Sequence, residues 1–414
     1  MIAHLISIGN EITGGQTVDT NSAWLARQLA ALGVRCVRHV SIADELEPIR
    51  DAIIAASNEA DLVLITGGLG PTPDDLTREA LAAAMNVPLE LDEPSLAHIV
   101  EYFCSRNRAM HDANRRQAMI PRGAAPVVND LGTAPGIRAR VNRAEIICMP
   151  GVPFEMRAMF EKSVRPAIDT GGAVVMERIL RTFGMSESEV GGRIGDLMRR
   201  DRNPTVGTSA ADLIISIRIV AEAPSPADCT TMLDADAREI RERLGHVVYG
   251  EADETLASCV SAMLLVSGKT IATAESCTAG LIAKRLTDAA GSSTYMMQGF
   301  VTYSNESKTR LLGVPADLIA AKGAVSAEVA GAMADGCRRV SGTDYAVAVT
   351  GIAGPGGGSP AKPVGLVYVG LATPEETVVK ELRLGDNLRR DQVRDRSAKA
   401  AINLLRLRLM KDRD

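Results

Sequence analysis

Apolar residues recur along this chain in two alternating rhythms. HLISIGN, near the start, is a short continuous apolar run of the kind a buried strand makes. TNSAWLARQLAALG then spaces its apolar positions as an amphipathic helix that Gly33 ends. VRCVRHVSI follows as a strand, 47–58 as a helix, DLVLITGG as an apolar strand and DDLTREALAAAM as a helix. That β-α-β-α-β-α order implies a parallel sheet covered by helices. EIICMPGVP at 145–153 is another strand running into a Pro/Gly turn, and the first domain, 1–168, closes shortly afterwards.

The rhythm breaks at Thr170-Gly171-Gly172, which reads as a linker. Beyond it MERILRTFG leads into SESEVGGRIGDLMRR, a helix opened by the capping pair Ser186 and Glu189. LIISIRIVAEA alternates as a half-buried strand, and ADCTTMLDADAREIRERLG is a helix stopped by Gly245. This makes 177–250 a small α+β domain. Its Gly192-Arg193-Ile194-Gly195 invites an RNA-clamping reading, set against glycines that fall in an amphipathic helix by chance. The remainder, 254–412, returns to α/β logic: a helix at 254–267, then strand and helix pairs TIATAE/TAGLIAKRLTDA and GFVTY/NESKTRLLG. DYAVAVTG, a glycine-rich loop, the strand VGLVYVGLAT and a long helix at 389–411 complete an α/β multidomain chain.

Composition narrows the function classes. The 414 residues are long for one core. Aromatics make up 3% and Trp24 is the sole tryptophan, which argues against stacking platforms for single-stranded nucleic acid. A formal charge of −5 argues against a whole-chain polyanion binder. Seven scattered cysteines without a CxxC suggest reduced thiols, and MIAHLISIGNE carries no leader pattern, so a cytoplasmic protein without membrane contact is expected.

Candidate chemistry concentrates in two places. All five histidines precede AESCTAG (274–280) and VTYSNESK (301–308). A nucleophile at Ser276 or Cys277 therefore lacks an imidazole from its own domain, leaving Lys308, Tyr303 or a carboxylate to move the proton. Ser276 falls at a strand-to-helix corner, where helix N–H groups could stabilise an oxyanion. Tyr303 and Lys308 occupy the next corner, and TGIAGPGGGSPAKPVG (350–365) a third; parallel strands would bring all three to one edge. Burial and the helix dipole would disfavour the Lys308 ammonium, and Tyr303 could relay the proton or hold the lysine. Alternatively, Ser276 or Thr278 is only an N-cap and Lys308 a surface lysine.

In the first domain, TGGLGPTPDDLTRE (66–79) leaves a strand through a glycine turn whose N–H groups suit a phosphate: Gly67, Gly68, Gly70 and Thr72. Asp75, with Glu11 and Asp19 on neighbouring loops, could hold a divalent cation. The alternative makes Asp74 and Asp75 helix-capping acids.

AESCTAG, GFVTYSNESK and TGIAGPGGGSPAKPVG, in this order and spacing, resemble the CinA C-terminal domain, the nicotinamide mononucleotide deamidase family. GNEITGGQTVDTN, TGGLGPTPDDLTRE, NDLGTAPG and MPGVPFEM resemble the CinA N-terminal domain, which has the molybdopterin-binding, three-layer α/β fold. The 177–250 unit resembles the family's KH-like domain. The resemblance implies amide hydrolysis of nicotinamide mononucleotide to nicotinic acid mononucleotide and ammonia, with Ser276 as nucleophile, Lys308 and Tyr303 in support, and no cofactor. Cys277, Thr278, Gly280, Asn305, Thr350, Gly351, Gly354 and Arg394 are the oxyanion and substrate positions expected with them. For the N-terminal domain it implies ADP-ribose pyrophosphatase activity, giving AMP and ribose 5-phosphate with Mg, Mn or Co. The implied partners are small nucleotides, and a homodimer is expected. Other readings are a non-enzymatic nucleotide-binding or competence-related protein, and a molybdopterin-handling enzyme. Two departures stand out. The family's AESCTGG has alanine at 279 here, where a methyl could narrow the pocket. Its GDR reads GDNLRRDQVR, so Arg394, Arg389 or Arg390 is the candidate phosphate ligand.

Overall fold

A computed structural model describes residues 1–168 and 174–412; the Thr170-Gly171-Gly172 linker reading lies outside the described residues. The chain falls into two compact units, Met1–Glu177 with Ala221–Met232, and Arg178–Val220 with Leu233–Asp414.

The N-terminal sheet has six strands. In chain order the strands are β1 (Ile2–Ile8), β2 (Arg35–Ile42), β3 (Leu62–Thr66), the short β4 (Leu89–Leu91) and β5 (Met119–Pro121), β6 (Ala125–Val127), β7 (Gly136–Val141) and β8 (Ala144–Met149). The sheet order is β2-β1-β3-β8-β7-β6, while β4 and β5 form a separate ribbon. The first four strands of the sheet are parallel, as expected, but β7 and β6 join antiparallel. In β3 every residue is buried, and successive side chains serve opposite cores. Val63 and Ile65 pack with Ile49 and Ile53 of the helix Leu46–Glu59. Leu62 and Leu64 join Leu25 and Leu29 of the helix Thr20–Ala31, with Phe160. Two apolar faces, each needing its own cover of helices, make the three-layer form.

The next four strands are β9 (Val174–Phe183), β10 (Thr205–Ala211), β11 (Ile214–Ala223) and β12 (Val248–Glu251), in the order β10-β11-β9-β12. The expected capping box is present, with Ser186 and Glu189 opening the helix Glu187–Ile194. Gly192, Arg193 and Ile194 are inside that helix and Gly195 caps it, so the blander reading of these glycines fits their geometry.

The C-terminal sheet comprises β13 (Ile271–Glu275), β14 (Met296–Val301), β15 (Tyr345–Gly351), β16 (Leu366–Ala372) and β17 (Thr377–Arg383), in the order β14-β13-β15-β16-β17. β14, β13 and β15 run parallel. One face carries Ile271, Val347 and Val349 against the helices Leu256–Ser267 and Arg390–Lys411. The other carries Ala272, Ala274, Ala346 and Ala348 under the helix Ala327–Ser341. Small residues let that helix lie close: a Cβ on Gly370 would meet the Ala330 carbonyl at 2.6 Å. The register then sets the site. Glu275 is opposite Val301 on one side and Val349 on the other. Ser276 and Thr302, the residues that follow β13 and β14, and Thr350 near the end of β15 therefore stand side by side at the C-terminal edge.

Candidate functional site

Lys308 is the fourth residue of the helix Asn305–Leu312, which Ser304 caps through the Ser307 N–H. Its side chain turns back over the first turn and is 1% exposed. Nζ is 3.2 Å from Ser276 Oγ, 2.8 Å from the Thr302 carbonyl and 3.4 Å from the Tyr303 carbonyl. Burial holds its pKa below that of a free lysine, against a smaller opposing effect of Cys277. A neutral amine has two N–H bonds and one lone pair. With Thr302 and Tyr303 accepting the two N–H bonds, the lone pair is left facing the Ser276 hydroxyl. This is the geometry of a nucleophile beside its base.

A cavity of about 230 Å³ opens over this pair. Ser276, Cys277, Tyr303, Asn305, Lys308, Thr350, Gly351 and Arg390 line it, together with Ala324, Val325 and Ala353. The three corners expected from the sequence do converge. Thr350 donates its hydroxyl to the Ala324 carbonyl at 2.8 Å. Cys277 is buried, and burial pushes its thiol up to about 11, so it stays protonated at neutral pH.

Several expected roles change in the structure. The helix after Ser276 starts only at Leu281, with Gly280 as its N-cap, so neither Ser276 nor Thr278 caps it. Its free N–H groups do not face the cavity. Those of Ile282 and Ala283 donate to the Glu275 carboxylate at 3.1 and 2.8 Å, and Glu275 is fully buried. Of the turn at 277–280, Cys277 lines the cavity, while the Ala279 N–H donates to the Ser276 carbonyl at 3.2 Å. Thr278 is buried with its hydroxyl unpartnered, while its carbonyl accepts from Arg394 at 3.0 Å. Arg394 thus steadies the turn and does not line the cavity. Arg390 does: it donates to the Gly354 carbonyl and the Tyr303 hydroxyl, both at 2.8 Å. Arg389 is exposed and pairs with Asp391. The Tyr303 phenol meets Arg390, and the residue holds the lysine through its carbonyl. Ala279 is exposed and does not narrow the pocket; its departure from glycine shows in the backbone, at φ +50°. Glu275 is a further residue of the site that the sequence pattern does not single out. An acid ending an apolar strand needs buried partners, and that was the available signal.

In the N-terminal unit Glu11, Asp19, Asp75, Gly67, Gly68 and Gly70 line one cleft of about 750 Å³. Gly67 has φ +100°, and a Cβ there would collide with the Ile8 carbonyl. The following helix begins at Thr77, so Asp74 and Asp75 belong to the loop and cap nothing. Asp19 caps the helix Thr20–Ala31, accepting from the Ser22 N–H at 2.9 Å and from the Ser7 hydroxyl at 2.6 Å. Burial raises its pKa, and the hydrogen bonds from Ser7 and Ser22 more than offset this and hold it low. The exposed Thr72 turns its N–H and hydroxyl onto Asp75. Asp44, Asp74 and Glu155 bring the lining to six carboxylates, with no lysine, arginine or histidine among the described residues that line it. No three His, Cys, Asp or Glu side chains among the described residues gather to hold a metal ion by themselves. No helix among the described residues is long and apolar enough to cross a membrane.

Comparison with known proteins adds the following. Residues 253–409 match the CinA C-terminal domain, 177–250 the damage-inducible protein CinA KH domain, and 4–170 the "Probable molybdopterin binding domain". A CinA-like protein of Geobacter sulfurreducens is 43% identical over 408 residues, covering 98% of both chains. Another from Kosmotoga olearia is 40% identical over 411 residues, covering 99% of both. The solved competence/damage inducible protein CihA of Agrobacterium tumefaciens is 43% identical, covering 37% of this chain and 93% of its own, with a TM-score of 0.36.

Proposed function

The chain belongs to the CinA family, and from that premise we propose that its C-terminal domain hydrolyses the carboxamide of nicotinamide mononucleotide. The observation that carries this reading is the buried Lys308 amine 3.2 Å from Ser276 Oγ at the floor of a cavity. Ser276 attacks the amide carbon as its proton passes to Lys308 Nζ. The turn that begins at Cys277 would supply N–H donors to the developing oxyanion. Lys308 then returns the proton to the leaving ammonia, and water releases nicotinic acid mononucleotide from the acyl-serine. Arg390 is the fixed cation of the cavity and suits the substrate phosphate. Ammonia release from nicotinamide mononucleotide tests the assignment. Ser276→Ala is expected to lower kcat by about 10³-fold or more, and Cys277→Ala to retain most activity. Full activity in Ser276→Ala would reject the nucleophile, and a silent native protein would favour a binding role.

For the N-terminal domain we propose metal-dependent hydrolysis of the ADP-ribose diphosphate to AMP and ribose 5-phosphate. Six carboxylates repel an entering diphosphate, and a cation brought with it would relieve that repulsion. Oxygen donors alone suit a hard divalent ion, and Glu11, Asp19 and Asp75 are the residues that would hold one, with phosphate oxygens completing its shell. Such an ion would supply charge neutralisation and an activated water.

A further inference from the structure

Asp75 does something in the N-terminal cleft that metal binding alone does not require. Its Oδ1 accepts from the Gly70 N–H at 2.8 Å, and its Oδ2 accepts from the Thr72 N–H at 2.8 Å and the Thr72 hydroxyl at 2.6 Å. Backbone N–H groups converging on one anionic group are how a glycine-rich nest holds an oxyanion. Gly70 has no Cβ, and one built there would fall onto the Asp75 carboxylate. Two of the four N–H groups expected to meet a phosphate, those of Gly70 and Thr72, are therefore already engaged by a residue of the same loop.

Behind the loop is Arg78, 1% exposed. It donates to the Leu69 carbonyl at 2.7 Å and the Gly70 carbonyl at 2.8 Å, while its Nε is buried without a partner. No carboxylate among the described residues forms an ion pair with it. A buried guanidinium in this state favours negative charge in front of the loop. In the same cleft Asn21, 8% exposed, keeps its Oδ1 buried and unpartnered, an acceptor with nothing yet to accept from.

Building on the diphosphate reading of this cleft, we propose that Asp75 is an internal stand-in for the ligand phosphate. It occupies the Gly70 and Thr72 N–H groups until a diphosphate displaces it, and Arg78 holds the loop in the receiving shape. A tethered carboxylate acts at high effective concentration, so it competes strongly with a free anion. The clasp therefore sets how tightly the loop binds any diphosphate.

Calorimetric titration of the full chain with inorganic pyrophosphate, in chelator-treated buffer, reads this without hydrolysis. Asp75→Asn keeps the shape but loses the charge and one acceptor oxygen, and should bind pyrophosphate at least about tenfold more tightly than the native chain. Asp75→Ala, which removes the clasp, should bind at least as tightly as Asp75→Asn. Asp74→Asn removes an equal charge from a neighbouring carboxylate that shares the single Thr72 hydroxyl proton with Asp75 but takes neither the Gly70 nor the Thr72 N–H, and should change affinity less than about threefold. Equal tightening by Asp74→Asn and Asp75→Asn would reduce the effect to general repulsion and overturn the proposal. So would an Asp75→Asn variant that binds no tighter than the native chain. A chain inactive on ADP-ribose would sink the hydrolytic reading and leave this titration intact.

Discussion

At the scale of single residues, Lys308 carries a cost that pH should expose. Its pKa is depressed in the folded state, chiefly by burial. Between the folded and unfolded values, the unfolded chain therefore binds more protons and stability rises with pH. Below the folded pKa the full cost of burying the ammonium is present. Lys308→Met removes this dependence, so its stability relative to the native protein should fall steadily as pH is raised toward 10. Denaturant melts across that range measure it, and a constant difference would mean that Lys308 is not depressed. The same titration should give native kcat/KM an acid limb, since only the neutral amine takes the Ser276 proton. Ala279 is the second residue with a measurable consequence. Held at φ +50°, it occupies a conformation that costs an alanine roughly 1 kcal/mol. Ala279→Gly should stabilise the C-terminal domain by about that much and raise its Tm by about 2–4 °C in calorimetry. An unchanged or lower Tm would mean the strain is relieved elsewhere. The motif showed that position 279 departs from its family. That the departure lies in the backbone, not the pocket, needed φ, which no residue spacing carries.

At the scale of elements, the strands were legible and the helix starts were not. Continuous apolar runs such as LVLIT and YAVAVTG can only be buried strands here, and parallel pairing then aligns Ser276, Thr302 and Thr350. Both catalytic-looking turns, however, enter their helices later than the sequence pattern predicts. TAG and DD carry residues common at helix starts, but the helices begin only at Leu281 and Thr77. At 281 the cause is a long-range partner, the buried Glu275 carboxylate that takes the Ile282 and Ala283 N–H groups. Local patterning cannot reveal a cap supplied from the preceding strand. Glu275→Gln leaves one acceptor oxygen for two N–H groups and should destabilise the domain by about 1–2 kcal/mol. Because the turn then loosens above an intact cavity, kcat should fall more than KM rises. Thermal melts and steady-state kinetics together decide it: a variant with native Tm and native kcat would show that Glu275 does not hold the turn. Arg390 is equally hard to single out among the three arginines of GDNLRRDQVR, since Arg394 keeps the family spacing and Arg389 or Arg390 could replace the displaced one. Only the helix phase separates the one in the cavity from Arg389 in solvent and Arg394 under the turn.

At the scale of the whole molecule, the net charge of −5 conceals two cavities of opposite character. The C-terminal cavity is lined by Arg390 and Lys308 and by no carboxylate among the described residues. The N-terminal cleft has six carboxylates and no cationic side chain among the described residues. Both proposed substrates are anionic, so the two sites must neutralise them differently: one with a resident arginine, the other with imported metal. Chelation should therefore abolish AMP formation from ADP-ribose while leaving ammonia release from nicotinamide mononucleotide within about twofold of its native rate. Ser276→Ala should do the reverse, silencing ammonia release and sparing AMP formation, because that serine belongs to the C-terminal site alone. Raising ionic strength should increase the KM for nicotinamide mononucleotide modestly, as salt screens Arg390. Assaying both products in one preparation, with and without chelator, tests all of this at once. Loss of both activities on chelation would mean that the C-terminal reaction also depends on a metal. AMP formation that survives chelation would show that the acidic cleft handles its diphosphate without one.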